Sequence, residues 1–161
     1  MAWTELNFGK HSGKTLPQVI FIDVDWFFHS IDENYWRTRK EYINEVKELF
    51  NKVRKIRIPQ TEGTERKEAE YSIHPSYNTF SNMEIVPITK PPHQGSTMTF
   101  RKNVIDLMVP RTISQYDKSG NKRMIKILKH YVFGDENIRL TKAKCESFFD
   151  NPDNFDMESD K

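Results

Sequence analysis

Phe8-Gly9-Lys10-His11-Ser12-Gly13-Lys14-Thr15-Leu16 is the stretch that most constrains this 161-residue chain. Glycine takes positive φ at no steric cost, so Gly9 and Gly13 let the segment between them fold back tightly. A turn of this kind aims successive backbone N–H groups into one concavity, where an anion can sit, and a helix starting behind it adds partial positive charge. Lys10 and Lys14 carry ammonium groups to the same place, and His11 adds a ring donor. The stretch points to phosphate as its guest, with Lys10, His11, Gly13 and Lys14 as the candidate binding residues.

The letters come close to a P-loop, but Walker A needs four residues between its glycines, and here there are three. Too little chain precedes Gly9 for the buried parallel strand that feeds a P-loop. No acidic residue closes a later apolar strand as a magnesium partner. Nucleotide hydrolysis is not expected.

The same run, with Val19 and Asp25-Trp26-Phe27-Phe28, resembles the small FGKxxGKxL domain found at the C-terminus of exodeoxyribonuclease X-like proteins and alone in bacterial and phage proteins. The resemblance covers roughly the first 35 residues. In that family a strand enters the glycine turn, a short helical piece follows, and an aromatic-rich helix packs back. Trp26-Phe27-Phe28 stands where Tyr-Leu-x-Trp is common. The resemblance implies nucleic-acid association, with DNA as the partner, in a protein of bacterial or phage origin. It carries no nuclease activity, because the catalytic carboxylates of such enzymes lie in a different domain.

Hydrophobic residues make up only 36% of the chain, but aromatics reach 12%, so large rings are expected to build the core. The formal net charge of +2 conceals an uneven distribution. Residues 37–57 are rich in Lys and Arg, diluted by Glu41, Glu45 and Glu48. A second basic block holds Lys118, Lys122, Arg123, Lys126 and Lys129, and a third Arg139, Lys142 and Lys144. The C-terminus is acidic, with Asp150, Asp153, Asp156, Glu158 and Asp160. Cys145 stands alone, which rules out an intramolecular disulfide and fits a reducing compartment. No signal peptide and no membrane-spanning apolar run is read, so a soluble, cytoplasmic protein without a membrane partner is expected.

The periodicity predicts an α+β fold. Residues 6–8 read as a strand into the glycine turn. Thr15 caps a helical piece with Pro17 in its first turn, and Asp23 or Asp25 caps a second piece carrying Trp26, Phe27 and Ile31. Three adjacent rings cannot share one helix face, so one of Trp26, Phe27 and Phe28 must turn outward or meet another element. Residues 39–56 predict a long amphipathic helix, with Ile43, Val46, Phe50, Val53 and Ile56 as its apolar stripe. Residues 60–67 and 90–96 read as loops. Between and after them a small, mostly antiparallel sheet is expected from 68–73, 79–88, 97–100 and 105–109. Residues 117–121 read as a turn, 122–133 as a helix ended by Gly134, and a last helix follows the cap Thr141. The organisation expected is 1–58 as the glycine-turn unit with the long helix, 59–150 as the remainder packed on it, and 151–161 as a flexible acidic tail.

Three functions compete. The first is non-catalytic, sequence-independent nucleic-acid binding. Lys10, His11, Gly13 and Lys14 would grip a phosphate, and Lys122, Arg123, Lys126 and Lys129 would extend the track; this helix has no acid among its bases. An exposed ring could stack on a base. The second is a protein-interaction or inhibitor module acting on a nucleic-acid enzyme, with the acidic tail as phosphate mimic. The third is a divalent-metal nuclease built on Asp23 and Asp25, for which the ordinary helix-capping role of aspartate is the competing explanation. His11, His29, His74, His93 and His130 show no metal-ligand spacing, and neither cofactor nor resident metal is expected.

Overall fold

The run from Leu16 to Phe28 carries more large apolar side chains than any other, and it becomes the element on which the others pack. It lies in α1 (Leu16–Asp32). The computed structural model describes residues 2–59, 65–91, 95, 97–115 and 117–157. Parts of the two expected loops (60–64, 92–94 and 96), with His93, and the end of the acidic tail (158–161) lie outside the described residues.

Thr15 starts α1 with its backbone N–H on Gln18 Oε1 at 2.9 Å, and Pro17 occupies the first turn, where a missing N–H costs nothing. The helix breaks at Asp23, whose backbone leaves helical values (φ −154°, ψ 66°). Asp23 Oδ1 then accepts the Trp26 N–H at 3.3 Å, so the aspartate restarts the helix as a cap. The two-piece reading from the sequence holds here.

Trp26, Phe27 and Phe28 are all buried. Each ring meets a different neighbour. Trp26 packs on His11 and Trp36, Phe27 against Phe28, and Phe28 also edge-on to Phe50 of α2 (Lys40–Val53). Phe21, before the break, meets Phe133, Phe148 and Phe149. Such ring pairs contribute about 0.5–1.5 kcal/mol each beyond their burial. No ring of the triplet is left exposed for base stacking.

The α2 helix is shorter than its pattern predicted, and its buried face is rotated. Tyr42, Val46, Leu49 and Val53 are buried, while Ile43 and Phe50 are only half-buried. The N-terminal segment causes the rotation. Tyr42 Oη donates to the Glu5 carbonyl at 3.0 Å and accepts the Asn7 N–H at 3.1 Å. Glu45 accepts the Thr4 N–H at 3.1 Å and its hydroxyl at 2.6 Å. Residues 6–8 accordingly form no strand; they run along α2 and close the glycine turn.

Ile56 leaves the helix to enter β1 (Ile56–Arg57), which pairs antiparallel with β5 (Val104–Ile105). A second sheet places β2 (Lys67–Ile73) between β3 (Phe80–Pro87) and β4 (Met98–Lys102), all antiparallel. Tyr71 faces Met83 on one side and Phe100 on the other. The strand expected over 105–109 stops at Ile105. Buried Asp106 accepts the Met108 N–H at 2.9 Å and turns the chain into α3 (Val109–Ile113).

The next helix, α4 (Lys118–Phe133), begins four residues before the predicted start, because Asp117 Oδ1 takes the Gly120 N–H at 2.8 Å. Gly134 ends it at φ +78°, and Thr141 caps α5 (Lys142–Asp150). The chain beyond 151 does not fray at once. A 3-10 turn at Pro152–Asn154 seats Phe155, which is 2% exposed, stacks on Phe149 and bridges Ile56. One core cluster runs from Trp3 to Phe155, across the boundary expected at 58/59.

Tyr71 ties the two sheets together. Its hydroxyl donates to the Val104 carbonyl at 3.0 Å and accepts the Asp106 N–H at 2.8 Å. Burial pushes its phenol pKa well up, so the hydroxyl stays protonated. Tyr71→Phe leaves both backbone groups unpaired and is expected to cost about 1–3 kcal/mol in urea unfolding. A change below about 0.5 kcal/mol would show that the hydroxyl does not join the sheets.

Candidate functional site

The glycine turn closes on itself rather than on a guest. Gly9 and Gly13 take φ of +73° and +88°, as the turn requires. Ser12 N–H then donates to the Gly9 carbonyl at 3.2 Å, Gly13 N–H to Leu6 at 2.8 Å, and Lys14 N–H to His11 at 3.1 Å. With Thr15 N–H on Gln18, four successive N–H groups are spent inside the chain. The anion-cradling concavity expected from the sequence does not form over 12–15.

The side chains of the turn converge on Asp23 at the break in α1. Lys10 Nζ lies 2.8 Å and His11 Nε2 3.0 Å from the same oxygen, Oδ2. His11 is buried and sits edge-on to Trp26. Lys10 is more than half exposed, so its ammonium reaches solvent while it is paired. Partial burial works against the Asp23 carboxylate. Hydrogen bonds from Lys10, His11 and the Trp26 N–H, with the charge of Lys10, outweigh that and hold its pKa below the ordinary 3.8.

From Lys10 a row of cations follows the seam between α1 and α4. A cavity of about 400 Å³ is lined by Lys10, His29, Tyr35, Arg111 and Lys118. It shares Asp25 and Lys118 with a second of about 210 Å³, where Lys122, Lys126 and Lys129 stand over Ile22 and Ile125. That one shares Lys126 and Lys129 with a third of about 480 Å³, which adds Arg139 and one acid, Glu136. Positions 118, 122, 126 and 129 fall on one helical face by the three- and four-residue rule, which is why α4 presents them together. The turn, the second basic block and the start of the third therefore border one continuous surface.

Not every predicted residue lies there. Arg123 faces away, with Nη1 on the Ser81 carbonyl of β3 at 2.9 Å. Lys14 is half-buried and lines none of the three cavities, Gly13 is held by Leu6, and His11 is committed to Asp23. The bases of the first basic block, residues 37–57, also have structural work. Arg39 lies 3.8 Å over the Phe8 ring, Lys52 reaches the Phe149 carbonyl at 2.7 Å, and Arg57 holds the Phe155 carbonyl at 3.0 Å.

Comparison of the chain with family models, with curated proteins and with solved structures finds no match.

The carboxylates considered for metal chemistry are neutralised by the chain's own cations. Asp23 has Lys10 and His11. Asp25 Oδ1 accepts from Arg111 at 3.1 Å and from Asn121 Nδ2 at 3.2 Å, and Arg111 also bonds Asp32. Among the described residues no three His, Cys, Asp or Glu side chains converge as a metal site. Arg111 was overlooked in the sequence, because nothing in a short apolar segment marks an arginine that will be buried between two aspartates of a distant helix.

A carboxyl with a depressed folded pKa adds stability above its unfolded pKa and loses it as pH falls through the folded value. Asp23→Asn keeps a capping oxygen but removes the charge. The variant is expected to be less stable than the native chain at pH 7, with the gap closing below pH about 4. An unchanging gap in thermal melts from neutral to acid pH would show that the ion pairs add nothing.

Proposed function

We propose that this chain is a non-catalytic nucleic-acid binding protein that holds the phosphate backbone along the α1–α4 seam. The observation that carries the reading is the row Lys10, Lys118, Lys122, Lys126, Lys129 and Arg139 bordering adjoining cavities. Along α4, eleven residues separate Lys118 from Lys129, a span of roughly 16 Å at 1.5 Å per residue. That is the axial rise of about five base pairs. Along α4 the row offers ammonium groups and no aromatic side chain, which suits backbone contact without base readout. His11 and Gly13 serve in this reading as supports that set the position of Lys10, and Arg123 lies outside the track.

One observation favours the second reading, a protein-interaction module. Ile22 is 56% exposed in the middle of the lysine row, and a phosphate backbone gains nothing from it.

The test is fluorescence anisotropy of labelled single- and double-stranded DNA and RNA across a salt series. The native chain should bind at low salt and weaken steeply as salt rises. Lys122→Ala with Lys126→Ala should reduce the slope of log K against log salt by about 2 for duplex DNA, at about 0.9 per lost phosphate contact. Arg123→Ala should leave the slope unchanged. No binding at low salt, or equal slopes for all three proteins, would reject the seam as a nucleic-acid track and turn the search to a protein partner at Ile22.

A further inference from the structure

A further cavity lies elsewhere, larger than any along the seam. It has a volume of about 580 Å³ and opens between the end of α2, the start of β2 and the corner joining β4 to β5. Five bases line it: Arg54, Lys55, Arg66, Arg101 and Lys102. Glu68 and Asp106 are the acids of the wall, and Val104 is its one large apolar side chain. Most small-molecule pockets are walled by apolar and aromatic groups. Among the described residues it has no ring on which a base could stack and little surface to bury a hydrocarbon. Its guest must be recognised by charge.

Buried carboxylates hold the wall in place. Asp106, 1% exposed, accepts from Lys102 Nζ at 2.9 Å through Oδ2, which lies 3.7 Å from Arg54 Nε. Its other oxygen is taken by the Met108 N–H. One carboxylate thus stands between two bases and neutralises neither fully. Arg54 Nε is itself buried and makes no hydrogen bond. Arg101 is held by Glu70 at 2.9 Å and by the Lys90 carbonyl at 2.8 Å. Arg66, on the rim, is exposed. The lining holds more bases than acids, and the partners of Arg101 and Lys102 fix those bases before any ligand arrives.

We propose that this cavity is a binding site for a compact polyphosphate group. Guanidinium forks match phosphate oxygens in pairs, and three arginines with two lysines exceed what one phosphate can use. The volume also exceeds that of a single phosphate. A di- or triphosphate fills both requirements, whether free or as the tail of a nucleotide whose base stays outside. Bases converging on one cavity from three separate elements suit such a group better than they suit an extended nucleic-acid strand. The site is independent of the α1–α4 seam, with which it shares no lining residue.

The probe is tripolyphosphate, titrated into the full chain by calorimetry and by thermal melting at fixed ionic strength, with ATP and sulfate in parallel. Saturable binding with a raised melting temperature is expected, with sulfate much weaker. Arg66→Glu, on the exposed rim, should weaken binding at least tenfold, Arg66→Lys less so, and Lys122→Ala with Lys126→Ala not at all. Equal binding of ATP would assign the site to the phosphate tail of a nucleotide. Binding of tripolyphosphate alone would assign it to free polyphosphate. The proposal is overturned by absence of saturable binding, by equal affinity in Arg66→Glu, or by loss of binding in the Lys122/Lys126 variant. It is also overturned if Arg66→Glu weakens oligonucleotide binding as much as tripolyphosphate binding, which would make the cavity part of a nucleic-acid track.

Discussion

The break in α1 at Asp23 is the constraint on which the rest depends. One carboxylate stops one helical piece, caps the next, and receives Lys10 and His11 from the glycine turn. An unbroken helix would leave the turn with no anionic partner at this place. It would also take Phe21 and Trp26 out of their present relation, the first against α4 and α5, the second against the turn. The break lets one short apolar run serve two packing surfaces.

Carboxylates do similar work elsewhere. Asp25 and Asp32 draw Arg111 out of solvent and fasten α3 to α1. Asp106 turns the chain after β5 and sits between Lys102 and Arg54. Glu45 fastens the N-terminal segment to α2. Buried acids that take several hydrogen bonds stay charged and can hold bases in fixed positions. Glu45, Glu70, Asp106 and Asp117 are buried, while lysines such as Lys122 and Lys126 stay outside.

Those surfaces differ in kind. The α1–α4 row is long, with Lys118, Lys122, Lys126 and Lys129 aligned on one helix face. The cavity beside β4 gathers Arg54, Arg66 and Arg101, of which Arg101 is already held by Glu70. Neither contains a carboxylate set able to hold a metal among the described residues.

Local chemistry was readable from the sequence. The positive φ of Gly9, Gly13 and Gly134, the caps at Thr15, Asp23 and Thr141, and the existence of β2, β3 and β4 all follow from the preferences of a few neighbouring residues. So did the shared face of Lys122, Lys126 and Lys129, which helical periodicity dictates; Lys118 joins it only because α4 starts four residues before its expected beginning. What required the tertiary structure was every choice among partners. The turn's N–H groups could have faced an anion or their own carbonyls, and closure against Leu6 decided for the carbonyls. The buried face of α2 was set by Tyr42 and Glu45 bonding a segment some forty residues away. Phe155 anchored a stretch that looked like a loose tail. The cavity of Arg54, Arg66 and Arg101 draws on three elements with no common motif. Propensity acts over a few residues, whereas burial and ion pairing are decided by whichever distant group the fold brings within reach.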